Sequence, residues 1–220
     1  MLNYAKNEHW KLLSKYVDPD RGAMAGVKIA GDELIACDGQ RLIVLKGAPH
    51  AAAQYEGQVL AVSPKGLGLP LPLAEQNYPN YTQVIPKEAA ARYTFSLRRD
   101  LLPKSVTNGA GAPAQVSFLT SGVLALGVPP GALVTLDLRY LLDLPEDCYV
   151  YVGRTDEAVL FVALDLGWRA VIMSVGGEYN HAEKRDYAPL SAVMTPSAAP
   201  GNVLATNWQA DYRAQPAVAV

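Results

Sequence analysis

The side chains able to do chemistry are sparse in this sequence, and their spacing excludes most reactions. His9, His50 and His181 stand far apart with no H-x-x-x-H arrangement, so they read as exposed or packed histidines, not metal ligands. Cys37 and Cys148 make neither a disulfide framework nor a metal-ligand set. Asp38 follows Cys37, and a neighbouring carboxylate raises a thiol pKa, so Cys37 reads as a small buried residue. The run "GLGLPLPL" lacks the Gly-Lys-Ser/Thr ending of a phosphate loop, and "SFLTSGVLALG" contains no Gly-x-Ser-x-Gly elbow. Asp143 and Asp147 show no pairing in the sequence. With no catalytic constellation, no metal set and no cofactor motif, the chain is expected not to be an enzyme.

The more informative residues have the character of a binding surface. In "GDELIACDGQRLIVLKG" two apolar runs flank Asp38-Gly39, with Arg41 and Leu42 directly behind. Asp-Gly between apolar runs is a β-hairpin turn, and that is its whole meaning if nothing else joins it. Basic residues gather in two places: Lys6, Lys11 and Lys15 in one segment, and Arg98, Arg99 and Lys104 in another. They form either an ordinary solvated face or a face that touches phosphates without reading bases. A net charge of −2 argues against a protein coated in positive charge, but leaves a local basic face open.

Stepping back to the scaffold, 220 residues that are half apolar and 18% charged are enough for a globular chain with a real core. The apolar runs fall short of the ~18 residues of a membrane span, and "MLNYAKNEHWKLL" has no long apolar stretch of a signal peptide. A reducing cytoplasm is the expectation. Residues 7–17 predict an amphipathic helix with Asn7 as N-cap and Asp18-Pro19 as its stop. Two or three strands follow up to residue 47, then another in "QVLAVS". "PKGLGLPLPLAEQNYPNY" carries too many prolines for a helix or a central strand and predicts a connector. From residue 93 the pattern restarts with a strand, a short helix cut by Pro103, three strands, a helix over "RYLLDLP" and three strands. After Val175 the Gly-, Pro- and Ala-rich chain predicts an irregular tail. The boundaries drawn are 1–86, 87–177 and 178–220.

Three stretches carry a resemblance. "VTLDLRYLLDLP" followed by "CYVYVGRTDEAVLFVALDLGWRAVIMSV" is similar to the closing segment of the bacterial DNA polymerase III β sliding clamp family. "NYPNYTQVIPKE" resembles that family's linker before its last domain, and "ELIACDGQRL" resembles its Ala-Thr-Asp-Gly-His-Arg-Leu turn, with Cys37 for Thr and Gln40 for His. All three occur in the family's order across roughly residues 7–177. The resemblance implies an α+β DNA-clamp fold: antiparallel sheets with short helices, in two clamp-like domains plus the irregular tail. It also implies a hydrophobic pocket for short peptides of a polymerase, clamp loader or other replication protein. The matching positions are Gly39, Arg41 and Leu42 from the turn, Pro79 and Val84 from the linker, and Val171 and Met173 from the last strand. Lys6, Lys11, Lys15, Arg98, Arg99 and Lys104 would face double-stranded DNA.

Two departures accompany the likeness. The first unit has one helix where the family pattern has two, and the second unit's first helix is short. With two units per chain instead of three, six domains need three copies, so a homotrimer is the expected ring. The expected function is a sliding-clamp-like processivity factor that tethers a partner to DNA, and the small size and abbreviated first unit suggest a phage or mobile-element origin. The alternative is a structural, assembly or adaptor protein that reuses the fold without encircling DNA.

Overall fold

The computed structural model describes residues 6–48, 50–72, 77–86, 91, 93–102, 115–119, 124–126, 132–153, 158–165, 167–175, 188–190 and 194–196. Lys104, His181 and most of the expected tail lie outside these residues. Helix α1 spans Lys6–Leu13. Its apolar side chains recur every three or four residues, so Trp10, Leu13 and, just beyond, Tyr16 turn to one side and are buried. Asn7 lies within the first turn of α1 and is not its cap, a one-residue shift usual at helix ends.

The strands of the first half are β1 (Gly26–Ala30), β2 (Glu33–Cys37), β3 (Arg41–Lys46), β4 (Val59–Ser63) and β5 (Gly66–Pro70). β5 comes from the proline-rich connector. Its composition confines it to a sheet edge, and there it lies. The second half contributes β6 (Tyr93–Leu97), β7 (Gln115–Leu119), β8 (Leu124–Leu126) and β9 (Ala132–Asp137). Helix α2 (Leu138–Leu142) follows, capped by the Asp137 carboxylate, which accepts the Arg139 N–H at 2.9 Å. Then come β10 (Cys148–Val152), β11 (Val159–Ala163) and β12 (Trp168–Ile172). The described part of "RDLLPKSV" holds a 3₁₀ turn, Arg99–Leu101. The segment expected to be irregular adds β13 (Ala188–Leu190) and β14 (Met194–Pro196). Strands this short leave no side-chain period in the sequence.

Ten strands form one antiparallel sheet in the order β14-β6-β10-β11-β12-β3-β2-β1-β4-β5, and β13-β8-β7-β9 form a second. β12 pairs with β3 from Trp168↔Leu45 to Ile172↔Arg41. The large sheet therefore passes without a break from residues 26–70 to residues 93–172. Alternation sorts its side chains onto two faces. Ile43, Leu45, Phe161, Ala170 and Ile172 join a large core under α1, α2 and the second sheet. Leu42, Val44, Leu160, Val162 and Val171 face the other way, into a smaller core covered by Tyr78 and Tyr81 of the connector. Burial on both faces explains why the interior of β3, Leu42 to Leu45, and all of β11 read as continuous apolar runs.

This partition predicts how substitutions divide. Phe161→Ala empties a fully buried site in the large core and is expected to cost about 3–5 kcal/mol in urea unfolding. Leu164→Ala, at a side chain 56% exposed, should stay within about 0.5 kcal/mol of the parent.

Candidate functional site

The Asp38-Gly39 turn joins β2 to β3, and its own backbone holds it. The Asp38 carboxylate accepts the Gln40 and Arg41 N–H groups, each at 2.9 Å. Gly39 adopts φ +87°, a conformation that a side chain disfavours. The Gly39 N–H also donates to Cys37 Sγ at 3.3 Å, and burial pushes the Cys37 thiol up. Across the seam, Leu42 pairs with Val171, and the Met173 N–H donates to the Gln40 carbonyl at 2.9 Å. Above this seam runs the connector. Tyr78 is buried and donates to the Ile35 carbonyl at 3.4 Å; Tyr81 opens a 3₁₀ turn, Tyr81–Gln83.

Between turn, seam and connector lies a cavity of about 180 Å³. Gly39, Arg41, Leu42, Pro79, Val84, Val171 and Met173, the seven positions drawn from the resemblance, all line it. Leu42 and Val171 are each 2% exposed and form its floor, whereas Val84 (48%) and Met173 (41%) stand at its rim. Five further lining residues escaped the sequence reading: Met24, Cys37, Tyr78, Asn80 and Tyr81. Tyr78 and Tyr81 flank Pro79 in the quoted linker, so a signal existed for them; Met24 lies in a Gly-Ala stretch with none. A small apolar hollow with thioether side chains on two sides can take an apolar anchor and repack around it.

Arg41 does more than line this hollow. Its side chain passes to the helix side of the sheet, where the guanidinium sits 4.4 Å from the Tyr16 ring centroid and 4.6 Å from that of Tyr140. Nε donates to Asp38 at 2.9 Å, one terminal nitrogen to Asp143 at 2.6 Å, and the other to the Lys15 carbonyl. Burial disfavours its charge, but the bonds to Asp143 and Asp38 outweigh that and raise its pKa. Burial likewise would push the Asp143 carboxyl up; the hydrogen bonds from Lys15 and Arg41 prevail and hold it below the usual carboxylate range.

The basic residues expected to face DNA have mixed placements. Lys11 is exposed on α1. Lys6 opens α1. Lys15 is engaged with Asp143 at 2.8 Å, and Arg98 with Asp100 at 2.7 Å. Arg99 donates to the Leu142 and Pro145 carbonyls at 2.7 and 3.0 Å, satisfying the end of α2. Asp100, Glu146, Asp147 and Asp165 surround an open depression of about 630 Å³ beside these residues. The Glu146 carboxyl there is pushed up by burial and by neighbouring Asp165 and Asp147. This end of the helix side is thus mixed in charge. Among the described residues, no cluster of His, Cys, Asp or Glu could hold a metal, and no helix is long and apolar enough to cross a membrane.

A large antiparallel sheet buried on both faces, with short helices on one of them, is the architecture of the DNA sliding clamp fold. Among solved structures the chain is similar to Caulobacter crescentus pol III beta, at 18% identity and TM-score 0.56, over 79% of this chain and 65% of that one. It is similar to the DNA polymerase III beta subunit of Thermotoga maritima at 14% identity and TM-score 0.56, over 78% and 63%. It also resembles the Helicobacter pylori beta clamp bound to a DNA ligase peptide, at 10% identity and TM-score 0.53, over 77% and 63%. The chain spans less than two thirds of the length of these neighbours. No protein-family model and no curated protein matches the sequence.

The Asp143–Arg41 contact sets a pH dependence. A carboxyl whose folded pKa is depressed adds stability above its unfolded pKa, about 3.9, and loses it as pH falls through the folded value. Urea midpoints should therefore drop as pH goes below about 4, and Asp143→Asn should flatten that decline. At neutral pH, Arg41→Ala takes the buried guanidinium from Asp38 and Asp143, leaving them the turn N–H groups and Lys15, and is expected to cost about 3 kcal/mol in the same measurement.

Proposed function

We propose that this chain is a sliding-clamp-like tether, cytoplasmic and non-enzymatic, that holds a replication partner through the Leu42/Val84/Val171/Met173 hollow. The observation that carries the reading is the convergence of three segments, distant in sequence, on that apolar cavity. The occupant is a short peptide of a polymerase, clamp loader or related factor. The solved Helicobacter pylori clamp, a likeness in fold, is bound to a DNA ligase peptide. Anchoring one or two apolar side chains while excluding water supplies the affinity. On DNA, three copies in a ring would hold the partner near its template by raising effective concentration, with no need for base contacts. Lys6 and Lys11 on α1 are the cations this role would use.

A second reading, an adaptor or assembly protein of clamp fold that does not encircle DNA, has its own support. Lys15, Arg98 and Arg99 bond to this chain's own groups, and four carboxylates ring the depression beside them.

Fluorescence anisotropy with a labelled hexapeptide bearing two apolar anchors tests the pocket. Met173→Glu, at the rim, should weaken binding at least tenfold, about 1.4 kcal/mol, without altering the unfolding midpoint. Equal affinity in parent and variant would remove the pocket assignment. Retention on closed circular but not linear DNA, falling with salt and reduced by Lys11→Glu, separates the ring from the adaptor; indifference to DNA at all salt concentrations selects the adaptor.

A further inference from the structure

β13 and β14 arise where the sequence has no strand period, yet each completes a sheet edge. β14 runs antiparallel to β6, with Met194 opposite Leu97, Thr195 opposite Ser96 and Pro196 opposite Phe95. β13 runs antiparallel to β8, with Ala188 opposite Leu126, Pro189 opposite Ala125 and Leu190 opposite Leu124. The two strands belong to different sheets, and only residues 191–193 separate them in sequence. The two sheets pack together, with the rings of Phe95 in β6 and Phe118 in β7 6.4 Å apart. β13 therefore closes the rim of one sheet and β14 the rim of the other.

Without that segment, β6 and β8 would each present a row of unpaired N–H and C=O groups, a template for any extended strand. With it, each sheet ends on a three-residue strand that carries a proline, Pro189 in one and Pro196 in the other. Proline lacks the N–H that a further strand needs, and very short outer strands are poor templates. Both features stop a sheet from growing.

We propose that β13 and β14 act together as an intramolecular strap that occupies the strand-docking edges of β6 and β8 and keeps a second copy of this chain off them. The backbone groups the strap satisfies are the ones another copy's strand would use, so docking of the strap and self-association through these edges exclude each other. A ring closed through these edges requires the strap to leave. The inference does not rest on the peptide pocket or on DNA binding.

The test uses the full chain. Leu190→Pro with Thr195→Pro removes one backbone donor from each strap strand. Light scattering across a wide concentration range should give the parent the mass of one copy, and the variant a mass at least twofold higher that grows with concentration. Hydrogen exchange should show the β6 and β8 amides protected in the parent and exposed in the dilute variant. A synthetic peptide of residues 186–198 should return the variant to single-copy mass, whereas a scrambled peptide should not. A variant that stays at single-copy mass, a parent that assembles with its β6 and β8 amides still protected by the strap, or association that the peptide does not reverse would each overturn the proposal. Should the double variant fail to fold, the parent's exchange pattern decides alone: unprotected β6 and β8 edges mean that no strap is docked.

Discussion

A guanidinium buried between two tyrosine rings and two carboxylates ties together the parts of this molecule that are far apart in sequence. Arg41 is only 9% exposed, and a charge that deep is tolerated only when its donors are matched. Asp38, Asp143 and the Lys15 carbonyl supply the match, from the β2–β3 turn, the end of α2 and the end of α1. The planar fork of arginine satisfies all three at once while its faces lie on Tyr16 and Tyr140, a combination that a lysine ammonium has no geometry to reproduce. The turn that lines the apolar hollow is thus held by contacts on the opposite side of the sheet. The position of the helices and the shape of the hollow are set by one network.

The seam between β3 and β12 is the second constraint. Because those strands pair residue for residue, Leu42 and Val171 become cross-strand neighbours and form a floor that neither half of the chain could make alone. The connector then crosses that floor, with Tyr78 and Tyr81 turned inward and Val84 left at the rim. The hollow is a consequence of joining two half-sheets edge to edge under a strap of linker. The helix face differs in character. There the charges answer one another within the chain, so its electrostatics cannot be inferred by counting lysines and arginines.

Much of the architecture was legible because it follows from local rules. The Asp-Gly turn and the doubly buried apolar runs of β3 and β11 each announce themselves over a few residues, whereas β5 forms inside the stretch expected to be a connector, since an edge strand needs only one neighbour. The seven pocket positions were legible only through resemblance, since nothing in their spacing links Leu42 to Val171. Arg41 was assigned to the pocket, but its guanidinium belongs to the helix network behind it. Arg99 was grouped with DNA-facing residues, yet it caps α2, because a helix end needs partners for its carbonyls wherever the chain can provide them. β13 and β14 left no trace, since strands of three residues carry no period to detect.

The sequence by itself determined the short helix near the start, the Asp-Gly hairpin and most of the longer strands, because propensity, periodicity and turn chemistry act between near neighbours. Tertiary structure alone decided which cations are matched internally, which edges are closed and where the hollow opens. Lys15 and Asp143 stand 128 residues apart, as remote in sequence as the two strands of the seam. Electrostatic partners and edge pairings depend on distance in space, and the chain acquires those distances only when its two half-sheets meet.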